Sequence, residues 1–171
     1  MKVFLIAGKA GSGKNEVASI IKKELGSAVV TSFSKYIKLY TMELTGWDGN
    51  DDNKPREYLQ TMGDKLRAID KDFLTKRIYE DIEVYEKEGI SNVIVSDVRL
   101  VNEIEYFKNL NIDVVTIRVN SDTSKRILTD KEKAHHTELA LDDYKGFDYI
   151  IENEFNENLK EKVKEILKGM K

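Results

Sequence analysis

An open α/β fold, a parallel sheet with helices on both faces, follows from three features of the sequence. Lys2 to Ile21 runs from an apolar stretch, Val3-Phe4-Leu5-Ile6-Ala7, straight into a glycine-rich turn and then into a segment of helical periodicity. Four further short apolar runs recur along the chain, separated by segments with helical spacing, and that alternation of strand and helix builds parallel sheets. Finally, 171 residues without cysteine are the size of one domain, able to bury roughly 70 % of its unfolded surface without covalent staples.

The first strand, Val3 to Ala7, is apolar throughout, as expected where both faces are covered. Gly8-Lys9-Ala10-Gly11-Ser12-Gly13-Lys14 follows at once and satisfies G-x-x-x-x-G-K. Its glycines let the backbone turn tightly with N–H groups pointing inward, so Gly8, Ala10, Gly11, Ser12 and Gly13 are the expected cradle for the anionic oxygens of a phosphate ligand. Lys14 supplies an ammonium for the outer phosphates, and Asn15 and Glu16 open the next helix beside them. The prediction is therefore a three-layer P-loop NTPase fold. Ser or Thr ordinarily carries the Mg²⁺-binding hydroxyl at the last motif position. Asn15 stands there instead, and its amide oxygen can bind a hard cation or a metal-bound water. A loop that holds nucleotide without catalysis is the alternative reading. Val17, Ala18, Ile20, Ile21 and Leu25 mark the buried side of the helix, and Gly26 stops it.

Ala28 to Phe33 reads as the second strand, with Ser34 as N-cap of a helix near Lys35 to Leu44 that carries Lys38. Thr45 to Asn53 is polar and turn-rich, the stretch expected to be mobile, and Pro55 sits where a helix to about Ile69 begins. That helix has two faces. Tyr58, Leu59, Met62, Leu66 and Ile69 should meet the core, whereas Arg56, Gln60, Gly63 and Arg67 recur at i, i+4, i+7 and i+11 on the other side. The second face has the composition of a binding surface: two guanidinium forks for phosphate, an amide that donates and accepts, and a glycine that lets a flat ligand approach the backbone. The bland alternative is a solvated arginine face. Asp72 to Glu88 forms a third consecutive helix ended by Gly89, so residues of about 34–90 make a helical insert.

Asn92 to Val98 is the third strand, ending at Asp97 with Arg99 beyond it. Open parallel sheets bind ligands past the carboxyl ends of their strands, which puts both residues at the rim of the glycine-rich loop. Asp97 can hold Mg²⁺ through water or accept from a substrate hydroxyl, and Arg99 can bind phosphate; a plain salt bridge between them is the alternative. Glu103 to Leu110 is a short helix, and Val114 to Val119 a fourth strand carrying Arg118. Asn120 to Ala134 is polar and basic, with Lys125, Arg126, Lys131 and Lys133, and reads as a short lid (about 120–136) or as a solvated loop. The histidines of His135-His136-Thr137-Glu138 are adjacent, which disfavours a shared metal. Asp148 to Glu152 is the fifth strand, Asn153 opens the loop beyond it, and Leu159, Val163, Ile166 and Leu167 line a closing helix.

A net charge of −3 with 35 % charged residues argues against a nucleic-acid surface. No apolar run approaches the ~20 residues that span a bilayer, and the first residues enter a strand rather than a signal peptide, so a cytoplasmic protein, monomer or homodimer, is expected.

The chain resembles the P-loop nucleoside monophosphate kinases of the phage deoxynucleoside monophosphate kinase type, to which animal phosphomevalonate kinases are related. The resemblance rests on G-K-x-G-S-G-K-N at Gly8 to Asn15, R-x-x-L-Q-x-x-G-x-x-x-R at Arg56 to Arg67, and S-D-V-R at Ser96 to Arg99 with Asn102-Glu103 after it. H-x-T-E at His135 to Glu138 and D-x-x-I-x-N at Asp148 to Asn153 complete the set. It implies a five-stranded parallel sheet, a helical acceptor-binding insert and a lid in a single domain over residues 1–171. Arg56, Gln60 and Arg67, with Lys38, would hold the acceptor, and Asp97 and Arg99 would sit beside its phosphate. Arg118 and Arg126 would join Lys14 in stabilising the transferring group, Asn153 would belong to the ATP site and Glu138 to the acceptor site, and Asn15 and Asp97 would position Mg²⁺. The expected activity is transfer of the γ-phosphoryl of ATP to a (deoxy)nucleoside monophosphate. The alternatives are a kinase for phosphomevalonate or dephospho-coenzyme A, and a nucleotide-bound switch without catalysis; the absence of N-K-x-D favours ATP over GTP.

Overall fold

The computed structural model describes residues 1–122 and 136–170, apart from the side chain of Glu138. Five parallel strands, β1 (Lys2–Ala7), β2 (Ala28–Thr31), β3 (Asn92–Val98), β4 (Asp113–Ser121) and β5 (Tyr149–Asn153), form one sheet in the order β2-β3-β1-β4-β5. β1 is central, which explains its unbroken apolar run. Val3, Leu5 and Ala7 enter one core and Phe4 and Ile6 the other, because successive side chains leave a strand on opposite faces.

Helices cover both faces. α1 (Lys14–Leu25) and the C-terminal α7 (Asn158–Gly169) close the face of Phe4 and Ile6 through Val17, Ala18, Ile21, Leu159, Val163 and Leu167. The other face carries α2 (Ser34–Thr45), α3 (Arg56–Ile69), α4 (Phe73–Lys87) and α5 (Val101–Lys108), with Phe33, Tyr36, Ile37, Leu74, Ile78, Ile82, Ile104 and Phe107 as its buried residues. The four-residue α6 (His136–Leu139) precedes the loop into β5.

Three expectations change here. β2 stops at Thr31, and Ser34 is the first residue of α2 rather than its cap; no side chain of the preceding Phe33 or of Ser34 caps the helix. On α3, Leu59, Met62 and Leu66 pack against the core, but Ile69 is 81 % exposed and Tyr58 39 %, because the helix leans on α2 along a narrower stripe than its apolar residues mark. The loop after α2, expected to be mobile, folds on Trp47. Its buried indole donates to the Asn50 carbonyl at 3.0 Å and to Asn53 Oδ1 at 2.9 Å.

Candidate active site

At the carboxyl end of β1 the chain turns through three glycines of positive φ, Gly8 (150°), Gly11 (71°) and Gly13 (92°), and enters α1. Gly8 and Gly13 are required by contact as well as by conformation. A Cβ on Gly8 would stand 2.4 Å from the Val119 carbonyl oxygen of β4, and one on Gly13 2.2 Å from Asn153 Nδ2. Lys14 is folded into this loop at 7 % exposure, and its ammonium donates to the carbonyls of Gly8 and Lys9, each at 2.6 Å. Ser12 Oγ is buried there without a hydrogen-bond partner among the described residues. A buried ammonium and an orphaned hydroxyl in a tight glycine-rich loop at the start of a helix make a site shaped for a polyanion.

The loop forms one wall of a cavity of about 960 Å³. Ala10, Gly11, Ser12, Gly13, Lys14, Asn15 and Glu16 line that side; Lys38, Lys54, Arg56, Leu59, Gln60, Gly63 and Arg67 face them from α2, α3 and the loop between, and Asp97 and Arg99 close the floor from the end of β3. The structure thus brings together, from segments far apart in sequence, most of the residues singled out for donor and acceptor.

Asp97 owes its position to a local irregularity. Leu5 lies opposite Val95 but Ala7 opposite Val98, so two steps along β1 answer three along β3, a bulge that re-aims the residues within it. The Asp97 carboxylate then accepts the amide N–H groups of Phe33 at 2.7 Å and Ser34 at 2.9 Å, and so caps α2 from another element. Glu103 works in parallel. It is 2 % exposed, its Oε2 accepts the amides of Arg99 (2.8 Å) and Leu100 (3.0 Å), and its Oε1 lies 3.4 Å from Arg67 Nη2. Burial pushes the Glu103 carboxyl up, against the pull of Arg67 and the two amides. Burial also lowers the Arg99 guanidinium, which Asp97 and Glu103 favour and Arg67 opposes. Two guanidinium groups close enough to repel are therefore held at the floor by two carboxylates.

Gly63 does not leave a bare backbone for a flat ligand, as the spacing suggested. A Cβ there would meet Arg67 Nη1 at 2.9 Å and Ile37 Cδ1 at 3.1 Å, so the space is filled by the arginine folded back over its own helix and by the neighbouring α2. Arg118 lies away from the lining. Its Nε donates to Asn120 Oδ1 at 3.1 Å, Nη1 to the Leu141 carbonyl and Nη2 to Asp142 Oδ1 at 3.0 Å, with the guanidinium over the Phe147 ring, so it clamps the loop before β5. Lys9 reaches the same Asp142 at 2.7 Å and ties the glycine-rich loop to that clamp. Asn153 ends β5 rather than opening the loop, and at 3 % exposure its Nδ2 donates to the Ser12 carbonyl at 3.0 Å. It buttresses the loop from behind. Arg126, His135 and nearly all of the expected lid lie outside the described residues, as does the side chain of Glu138. His136 is described, with Nε2 2.9 Å from Asp64 Oδ1 of α3, and Thr137 lines the cavity. Lys54 and Phe155 also line it without having been singled out. Lys54 stands in an unpatterned loop, and Phe155 had only its place two residues after Asn153 as a signal.

Among the described residues no cluster of three or more His, Cys, Asp or Glu could cage a metal. One amide oxygen from Asn15 and a carboxylate from Asp97 in the same cavity fit Mg²⁺, which keeps several waters and takes its other ligands from substrate phosphates.

A parallel sheet in this strand order, a P-loop and a cationic wall facing it define the class, a phosphotransferase of the P-loop kinase type. Solved structures of that type share the fold. Dephospho-CoA kinase from Campylobacter jejuni aligns over 99 % of this chain and 98 % of its own with TM-score 0.59 at 14 % identity. Shikimate kinase from Aquifex aeolicus aligns over 99 % and 96 % with TM-score 0.52 at 18 % identity. The family itself is given by sequence: the model of deoxynucleotide monophosphate kinase matches residues 30–163, and the chain belongs to that family. An uncharacterized protein of Ictalurid herpesvirus 1 is 31 % identical over 85 % of this chain, which spans only 61 % of that relative's length. A UPF0200 protein of Saccharolobus solfataricus is 32 % identical over 97 % of this chain and 92 % of its own. Phosphomevalonate kinase of Drosophila melanogaster is 27 % identical over 90 % and 89 %. Among the described residues no helix is long and apolar enough to cross a membrane.

Proposed function

We propose that the chain transfers the γ-phosphoryl group of ATP to the phosphate of a nucleoside monophosphate, deoxy forms included, giving the diphosphate and ADP. The observation that carries this reading is the single cavity with the P-loop on one wall and Arg56, Gln60, Arg67 and Arg99 on the others. An acceptor phosphate is already anionic near neutral pH, so no general base is required. The task is to bring two polyanions into line and neutralise the equatorial oxygens. In this reading the P-loop amides and Lys14 hold the donor, and Arg56, Arg67 and Arg99 hold the acceptor phosphate with help from Lys38. Gln60, able to donate and accept, reads a base edge. Asn15 and Asp97 would hold Mg²⁺ through water; when bound it bridges phosphate oxygens and neutralises the charge that develops. With each Arg118 nitrogen committed to the clamp, the positive charge at the transferring group falls first to Lys14 and the floor arginines.

A second reading has its own support. Lys38 adds a cation to the three arginines of the cavity, and the Drosophila relative is a phosphomevalonate kinase; an acceptor with both phosphate and carboxylate would use that charge, while Lys54 is already paired with Asp51 at 3.0 Å. The decisive measurement is ADP release by the purified protein with ATP·Mg²⁺ and a panel of ribo- and deoxynucleoside monophosphates, phosphomevalonate and dephospho-coenzyme A, with Lys14→Ala as the control. The expected outcome is turnover with one or more nucleoside monophosphates, lowered about 10² to 10³-fold in the control. Turnover with phosphomevalonate and none with any nucleotide hands the site to the second reading.

A further inference from the structure

The transfer reading leaves His136 and Thr137 without a task, although both stand where the two walls of the cavity are joined. Among the described side chains of α6, Thr137 is the one on the cavity lining. Just before it, His136 Nε2 lies 2.9 Å from Asp64 Oδ1 of α3, next in sequence to the cavity-lining Gly63. Just after it, the Ala140 amide donates to the His136 carbonyl at 2.9 Å, Leu141 is buried in the core, and Asp142 pairs with Arg118 at 3.0 Å and with Lys9 of the P-loop at 2.7 Å. Residues 136–142 thus form a strap from α3 to the P-loop, held at each end by a side chain of that wall. The His136 and Asp64 side chains are 57 % and 41 % exposed, and a pair so exposed adds little to stability. What the contact fixes is the place of α6 against α3, and with it the Thr137 side chain.

We infer that Thr137 is a further acceptor-contacting residue, its hydroxyl donating to the acceptor phosphate, and that Asp64 is the positioning residue that holds it there through His136. The inference rests on the phosphoryl-transfer reading above. Thr137 follows the residue tied to α3, so it keeps its place relative to Arg56, Gln60 and Arg67 of that helix, the wall assigned to the acceptor. The cations of the lining come from the P-loop, α2, α3, the loop between them and the end of β3; α6 brings a neutral donor from another side. A hydrogen bond to a charged oxygen belongs to the stronger class, and phosphate is common to every candidate acceptor, so this contact does not choose among bases.

The test is steady-state kinetics on the full chain, with ATP·Mg²⁺ and each acceptor that turns over varied in turn, for wild type, Thr137→Val, Thr137→Ser, Asp64→Ala and the double variant Thr137→Val with Asp64→Ala. Thr137→Val keeps the shape and removes the hydroxyl. It should lower kcat/KM for the acceptor about 10 to 10²-fold, by the same factor for every acceptor, while the ATP KM and the Tm stay at their wild-type values; Thr137→Ser should restore most of the loss. Asp64→Ala should lower the same ratio by less and add nothing on top of Thr137→Val, because a positioning residue has no effect once the group it positions is gone. His136→Gln, whose amide can still donate to Asp64, should match wild type. An unchanged acceptor kcat/KM in folded Thr137→Val overturns the contact, as does a loss that comes with a lowered Tm and an equally altered ATP KM, which would make the hydroxyl a support for α6. Losses that multiply in the double variant overturn the role of Asp64. If the wild-type chain turns over no acceptor, the phosphoryl-transfer reading fails and the contact with it; if it does and Thr137→Val matches it, the contact alone fails.

Discussion

Gly63 sits inside a 14-residue helix, where glycine costs about 1 kcal/mol relative to alanine, so something at that position outweighs helix propensity. The structure supplies two neighbours, Arg67 Nη1 at 2.9 Å and Ile37 Cδ1 at 3.1 Å from an added Cβ, and of these the arginine tip is the one free to move. Gly63→Ala should therefore swing Arg67 off its contact with the buried Glu103, so that the gain in helix propensity is offset by a carboxylate left less well paired. The expected kinetic signature is an acceptor KM raised about tenfold with the ATP KM unchanged, the pattern of a loss confined to one side of the cavity. Steady-state kinetics with each substrate varied in turn checks it, and a shift in the ATP KM of equal size would show that Gly63 serves the whole cavity. Spacing alone identified Gly63 as unusual and placed it with Arg56, Gln60 and Arg67. It did not show what fills the gap, because a shared helical face fixes neighbours along the helix and not how a long side chain folds back over them.

At the scale of elements, strands and helices were legible because each is marked by its own residues: unbroken apolar runs for a sheet covered on both faces, apolar spacing and Gly26 or Gly89 for the helices. What joins one element to another was not. Asp97 caps α2 only because a bulge in β3 turns it there, and Arg118 meets Leu141 and Asp142 across 23 and 24 residues of sequence, so its motif position carries no sign of the clamp. The clamp has a pH signature. Burial works against the Asp142 charge, but the hydrogen bonds from Lys9 and Arg118 outweigh it and hold the carboxyl below its ordinary 3.8. In that window the unfolded chain binds more protons than the folded one. The clamp's contribution is thus fully present above the ordinary value and is lost as pH falls through the folded one. Asp142 is about a third exposed, so screening keeps its worth under roughly 1 kcal/mol. Asp142→Asn should lower the urea midpoint slightly at pH 7, and the gap from wild type should close as the pH drops below 3.8. A gap that is constant from pH 7 to 3 would mean that the asparagine disturbs packing rather than charge.

In the whole molecule, the central strand sends alternate side chains into both cores, so the sheet is one unit whose carboxyl edge carries the donor wall directly and the acceptor wall through α2 and α3. Asp97 and Glu103 are the two posts that fix that second wall to the sheet, one through the amides that start α2 and the other through Arg67 of α3. On the proposed reading, with a donor and an acceptor phosphate bound in one cavity, a ligand that fills both should bind far better than either half. A dinucleotide joining adenosine, through five phosphates, to the nucleoside whose monophosphate turns over makes its second contact intramolecularly, so its affinity should exceed that of ATP by about 10² or more. At a concentration of 100 times its Kd it should stabilise the fold by about 2.7 kcal/mol, which for a chain of this size raises Tm by roughly 5–10 °C. Arg67→Ala should bind ATP as before and lose most of the advantage of the dinucleotide, since it removes a cation from the acceptor wall alone. Calorimetry and thermal melts on the two proteins give both numbers. A dinucleotide that binds the wild-type chain no more tightly than ATP would show that the arginine wall does not receive the second phosphate, however closely it faces the P-loop.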